Sequence, residues 1–112
     1  MKGIEGKALA YLGFAVRAGR VVIGVPLLCE AMKKAVAGKA PLIVLEAANT
    51  SANTHKRIAD RTAYYHTPAV QLSLDGEALA TAVGKRGSTV GAVGVTDEGL
   101  AREIAALYGI SL

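Results

Sequence analysis

The stretch Arg20–Gly38, RVVIGVPLLCEAMKKAVAG, contains the transition on which the fold turns. A β-branched run, Val21–Ile23, stops at Gly24. Pro26 follows, and an Ala/Leu/Met/Lys stretch then runs to Gly38. Gly ahead of a helix, Pro in its first turn and Gly past its end are ordinary helix punctuation. The spacing therefore predicts a strand over 21–23 that turns at Gly24 into a helix over 25–37. Such a turn has two readings. In the plain one, Gly24 permits an unusual φ and Pro26 presets a helical one. In the other, the free N–H groups and the helix dipole also form a place for a phosphate.

Working outward, apolar residues Ala8, Leu9, Leu12, Ala15 and Val16 recur at helical spacing and predict a helix over 4–18, ended by Gly19. PLIVLEA, residues 41–47, is a continuous apolar run, the pattern of a strand buried on both faces. NTSANT, residues 49–54, is rich in capping residues and opens a third helix to about Tyr65. A strand over 68–72 follows, then a short helix capped by Asp75, the loop GKRGST at 84–89, a strand over 90–95 and a last helix from Thr96 or Asp97 to about Tyr108. Helices and strands alternate through one domain, residues 1–112, without repeat or linker. That alternation predicts an α/β fold: a three-layer α/β/α sandwich with helices on both faces of a central sheet.

Composition narrows the function. The 112 residues carry a formal net charge of +4, a modest basic excess that favours an acidic partner such as nucleic acid. The excess is uneven. Residues 17–61 hold eight Lys and Arg against three acids, whereas 87–112 hold Arg102 against Asp97, Glu98 and Glu103. One cysteine, Cys29, provides neither a disulfide framework nor a metal cluster. Glu5 and Lys7 interrupt the apolar start that a secretion signal needs, and no apolar run reaches membrane-spanning length. A cytoplasmic protein without membrane association is expected.

Four places compete as sites. Around Gly24, residues Arg17, Arg20, Lys33 and Lys34 stand near enough in sequence to supply positive charge. On the helix that follows, Leu27, Glu30 and Lys34 lie along one line, and Glu30 with Lys34 has the favourable i, i+4 order of a solvent-facing pair. GKRGST is not a phosphate loop of the Walker type. Leu79 stands where the first Gly belongs, and Arg86 follows the Lys where Ser or Thr is required. What remains is a basic loop, Lys85 and Arg86, suited to a nucleic-acid backbone. In NTHKRIADR, His55, Lys56 and Arg57 fall in the first turns of a helix, where cations oppose the dipole and a phosphate would relieve them. Two histidines, a stripe-borne cysteine and scattered carboxylates form no triad, paired acids or metal spacing. No enzyme, cofactor or small-molecule substrate is expected.

Taken in order, LGFAVRAGRVVIG (12–24), CEAMKKAVAGKAPLIVLEA (29–47), SANTHKRIADRTAYYHTPAV (51–70), ALATAVGKRG (78–87) and VGAVGVTDEGLAREI (90–104) cover most of the chain. In this order the chain resembles the kink-turn RNA-binding ribosomal protein superfamily, which contains archaeal L-seven-Ae and eukaryotic L-thirty-e, and within it a small bacterial branch. The resemblance implies a mixed four-stranded sheet and an RNA site built from the start of the second helix and the loop before the last strand. In that superfamily a Gly opens the helix, followed by a small residue, Asn, Glu and, three further on, Lys. Here Gly24 and Val25 keep the first two positions, while Pro26, Leu27 and Glu30 occupy the other three. The phosphate-facing helix start is retained and the base-reading side chains are not.

The reading that follows is a non-enzymatic RNA-binding protein, ribosome-associated or acting in ribosome assembly, with an altered kink-turn site. Its surface would comprise Arg17, Arg20, Gly24, Val25, Pro26, Leu27, Glu30, Lys34, Lys56, Arg57, Lys85 and Arg86. The alternative is a protein-interaction module of the same fold, in which Pro26 and Leu27 meet a partner and kink-turn binding has been lost.

Overall fold

The transition at Gly24 forms as predicted. In the computed structural model, which describes residues 3–112, strand β1 (Val21–Ile23) leads into helix α2 (Val25–Lys34). Ahead of them lies α1 (Ile4–Arg17). After them come β2 (Ile43–Glu46), α3 (Ala52–Tyr64), β3 (Ala69–Gln71), α4 (Gly76–Ala82), β4 (Ala92–Val95) and α5 (Glu98–Leu107). Asp75 and Asp97 cap α4 and α5 by accepting from the backbone N–H of Ala78 and Leu100. Besides trims of one or two residues at the ends of α1, β2 and β3, two boundaries differ from expectation. Helix α2 stops at Lys34 rather than 37, because Ala35 takes the left-handed conformation with φ 51° and ends the helix before Gly38 is reached. Val90 and Gly91 stay outside β4, since the Val90 N–H turns to the carbonyl of Gly76 instead of a strand partner.

The sheet runs β1-β4-β2-β3. β4 is antiparallel to both β1 and β2, and β2 is parallel to β3 through the α3 crossover, so the sheet is mixed and four-stranded. Period-two alternation sorts the strand residues between two faces. Ile43, Leu45, Val93 and Val95 meet Ala8, Leu12, Leu79, Ala101 and Ile104, which come from α1, α4 and α5. Val44 and Ala92 meet Leu28, Met32 and Ile58 from α2 and α3. The result is the expected three-layer α/β/α sandwich. Sixteen buried residues make the first core and only five the second, so α2 and α3 form the thinner layer.

Close approach compensates for that thinness. A Cβ at Gly94 would lie 2.5 Å from Leu28 Cδ2 and 2.6 Å from Pro41 Cβ. The missing side chain is what lets α2 settle directly onto β4. Because β1 and β2 both run antiparallel to β4, their C-terminal ends lie at the same end of the sheet, and the starts of α2 and α3 emerge there together.

Candidate functional site

At that end a cleft of about 530 Å3 opens between Gly24–Pro26, Asn49–Ser51, Thr54, Arg57, Gly76 and Thr89–Gly91. Its construction begins with Gly24, whose φ of 96° and ψ of 146° are open to glycine and strained for other residues. The Gly24 N–H bonds Ala92 O at 2.9 Å, anchoring the turn to β4, and the Gly24 carbonyl accepts the first helical bond from the Leu28 N–H at 3.0 Å. No side chain caps α2. Pro26 has no N–H, so the open donors of this first turn are Val25 and Leu27. The α3 start beside it is capped: Ser51 Oγ accepts from the Thr54 N–H at 3.1 Å and donates to Thr54 Oγ1 at 2.9 Å.

The other walls are tied down from behind. Asn49 Oδ1 accepts from the Gly76 N–H at 2.9 Å. A Cβ at Gly76 would stand 2.6 Å from Thr89 Cγ2, so glycine there lets the Thr89–Val90 segment lie against α4. A buried carboxylate, Glu46, accepts from Thr50 Oγ1 at 2.5 Å and pairs with His55 Nδ1 at 2.8 Å. It fixes the loop that enters α3.

These pairings change the meaning of the basic side chains at the start of α3. His55 is held by Glu46, and Lys56 by Asp60 at 2.9 Å. Arg57 lines the cleft and has no ion-pair partner among the described residues. The cleft thus combines polar side chains, two helix starts and one free guanidinium, a set suited to a phosphate backbone.

A second hollow, of about 550 Å3, lies on the other side of α2. It is lined by Val21–Ile23, Leu27, Glu30, Ala31, Lys34, Val36, Lys39 and Lys85. Leu27 is 58% exposed here, and Glu30 and Lys34 form the expected pair at 3.9 Å.

The sequence-predicted residues accordingly divide. Gly24, Val25, Pro26 and Arg57 share the cleft; Leu27, Glu30, Lys34 and Lys85 share the groove. Arg86 is exposed in the loop between α4 and β4. Lys56 points to Asp60 rather than into the cleft. Arg17 and Arg20 are not brought to the Gly24 turn. Arg17 stacks on the exposed Phe14 ring at 4.8 Å, and Arg20 lies 4.0 Å from Asp97. The reason is the extended strand between: four residues at about 3.3 Å each carry Arg20 to the opposite end of the sheet. Asn49, Thr50, Ser51, Thr54 and Thr89 line the cleft unpredicted. NTSANT reads in sequence as capping chemistry, and only the sheet order turns it into a wall of the site.

No family model matches the chain. It is 34% identical over 107 residues to the RNA-binding protein YlxQ of Bacillus subtilis, covering 96% of this chain and 98% of that one. It is 30% identical over 102 residues to the RNA-binding protein YlxQ of Enterococcus faecium, covering 91% of each. Among solved structures, a protein with unknown function from Bacillus halodurans superposes with a TM-score of 0.79 at 26% identity, covering 92% of this chain and 97% of that one. The Giardia lamblia 15.5kD RNA binding protein superposes with a TM-score of 0.78 at 12% identity, covering 97% of this chain and 88% of the other, and attests the fold. With identity of this level running through nearly the full length of both curated relatives, the chain belongs to the YlxQ family.

Proposed function

We propose that this protein is a non-enzymatic, cytoplasmic RNA-binding protein that holds the backbone of a structured RNA in the cleft between α2 and α3, in association with ribosomes or their assembly. One observation carries the reading. The uncapped start of α2, the start of α3 and the unpaired Arg57 converge on one polar cleft, in a chain whose relatives are named RNA-binding proteins. Backbone N–H groups and a guanidinium bind phosphate oxygens without reading sequence.

The base-reading half of a kink-turn site is rebuilt. Of the three positions that read bases in the resembling superfamily, only Pro26 faces the cleft, and it has no N–H to donate. Leu27 and Glu30 line the groove instead, and Glu30 is engaged with Lys34. Each lost bidentate base contact removes about 1–3 kcal/mol of discrimination. Affinity should therefore rest on phosphates and fall steeply with salt.

The test is a calorimetric titration of a consensus kink-turn RNA and of ribosomal RNA fragments across a salt series. Weak kink-turn binding and steep salt dependence are expected. Nanomolar kink-turn affinity at physiological salt would contradict the rebuilt site, and absence of binding to every structured RNA would contradict the function.

A further inference from the structure

Helix α3 carries a row of side chains that starts in the cleft and leaves it. Thr54, Arg57, Arg61 and Tyr64 are spaced by three, four and three residues, so they fall on one face of the helix. Thr54 and Arg57 line the cleft. At about 1.5 Å per residue, Arg61 lies about 6 Å and Tyr64 about 10 Å farther along the axis than Arg57. Both arginines are exposed and have no ion-pair partner among the described residues. The one acid of α3, Asp60, is held by Lys56 at 2.9 Å. Tyr64 is 75% exposed, the most of any large apolar or aromatic side chain among the described residues. Its ring is nevertheless braced. It meets the Tyr65 ring edge to face, with centroids 4.8 Å apart and planes at 84°. Tyr65 in turn packs against the thin core of Leu28, Met32 and Ile58.

We propose that an unpaired stretch of the bound RNA, continuous with the backbone in the cleft, runs along this row, with Arg57 and Arg61 on successive phosphates and one base stacked on Tyr64. This path rests on the RNA-binding reading and adds the form of the RNA: a structured element with a single-stranded flank. A base stacked inside a duplex has both faces covered, so only an unpaired base can use the ring. Guanidinium groups hold phosphates, and an aromatic face accepts any base. Together they let a protein follow a single strand without reading its sequence. An acidic protein surface would also match two arginines, but continuity favours RNA. A strand whose neighbouring nucleotides already lie in the cleft reaches Arg61 at high effective concentration and needs little affinity of its own. Arg57, which belongs to the cleft and to the row alike, is the junction.

The probes are ribosomal RNA hairpins, either blunt-ended or extended by four uridines at each end, titrated by calorimetry. The tails should tighten binding at least about 5-fold, the lower end for one base stacked on an aromatic ring. Tyr64→Ala and Tyr64→Leu should erase that gain while blunt-hairpin affinity stays within about 2-fold, and Tyr64→Phe, which keeps the ring, should retain it. Arg61→Ala should shrink the gain and make the log–log salt slope of the tailed RNA shallower by about one unit. Arg61 and Tyr64 are exposed, so these variants keep the fold. Tails that add nothing to hairpins that bind would overturn the path and leave the RNA-binding reading standing. Hairpins bound in neither form would overturn the path together with the reading beneath it. An equal gain from abasic tails, or from the tails on Tyr64→Leu, would remove the stacked base and overturn the proposal. Displacement of the tails by tetraglutamate, with the hairpin still bound, would assign the row to an acidic protein segment and overturn it as well.

Discussion

The two faces of the sheet do different work. On one, α1, α4 and α5 bury Leu12, Leu79 and Ile104 in a core of sixteen residues. On the other, α2 and α3 rest on five, and the contact depends on a glycine. Stability is concentrated on the thick face. The thin face exposes the starts of its two helices, an unpaired Arg57 and a partly exposed Leu27. A layer that is lightly packed but tied at its loops by Glu46, Asn49 and Ser51 can present backbone donors that a deeper core would bury.

The sharpest way to break this division is Leu12→Ala. Leu12 is fully buried in the thick core, and its truncation should cost about 2–5 kcal/mol. Denaturant melts should show that loss, while the protein that remains folded binds RNA as before. Gly94→Ala on the thin face should cost less, about 1–3 kcal/mol from overpacking. It should nevertheless lower RNA affinity, because Leu28 and the rest of α2 must move off the strand. If the two substitutions affected binding alike, the faces would not be separable.

A matched pair of helix caps sharpens the contrast. Ser51→Ala and Asp97→Ala each remove a side chain that accepts from a helical N–H, at about 1 kcal/mol apiece. Melts should show similar losses. Titration should show weakened RNA binding for Ser51→Ala alone, since Ser51 lines the cleft and Asp97 lies at the other end of the sheet.

The smallest effect belongs to the rim of the thick face. Burial, and secondarily the negative charge of Glu5, push the Tyr108 phenol above its ordinary value of 10. The folded chain therefore holds that proton longer than the unfolded one. Stability is fully present below pH 10 and declines as pH rises through the raised value. Denaturant melts on either side of that pH should show a smaller alkaline loss for Tyr108→Phe.

Much of this fold was legible in the chain because local chemistry agrees with it. Gly24 and Pro26 mark the strand-to-helix turn, Asp75 and Asp97 announce two helices, and the apolar run at 41–47 contains the buried β2. Local signals also misled where tertiary geometry decided. Ala35 ends α2 early although nothing in its side chain demands it. Arg17 and Arg20 are near Gly24 in sequence and far from it along an extended strand. The cleft walls come from four separate segments that the order β1-β4-β2-β3 draws to one end, and no spacing rule encodes that meeting. One overlooked signal was present: Glu46, the single charge in PLIVLEA, stands where a buried strand tolerates a carboxylate only if partners await it, and Thr50 and His55 are those partners.

Adjacent cations on α3 test most directly whether RNA lies in the cleft. Arg57 lines it without an acidic partner, while Lys56 is paired with Asp60 and points away. Arg57→Ala and Lys56→Ala remove the same charge from neighbouring positions. RNA titrations over a salt series should show Arg57→Ala losing affinity several-fold and its log–log salt slope becoming shallower by about one unit. Lys56→Ala should leave both unchanged. Equal losses for the two variants, or the larger loss for Lys56→Ala, would place the RNA elsewhere on the protein.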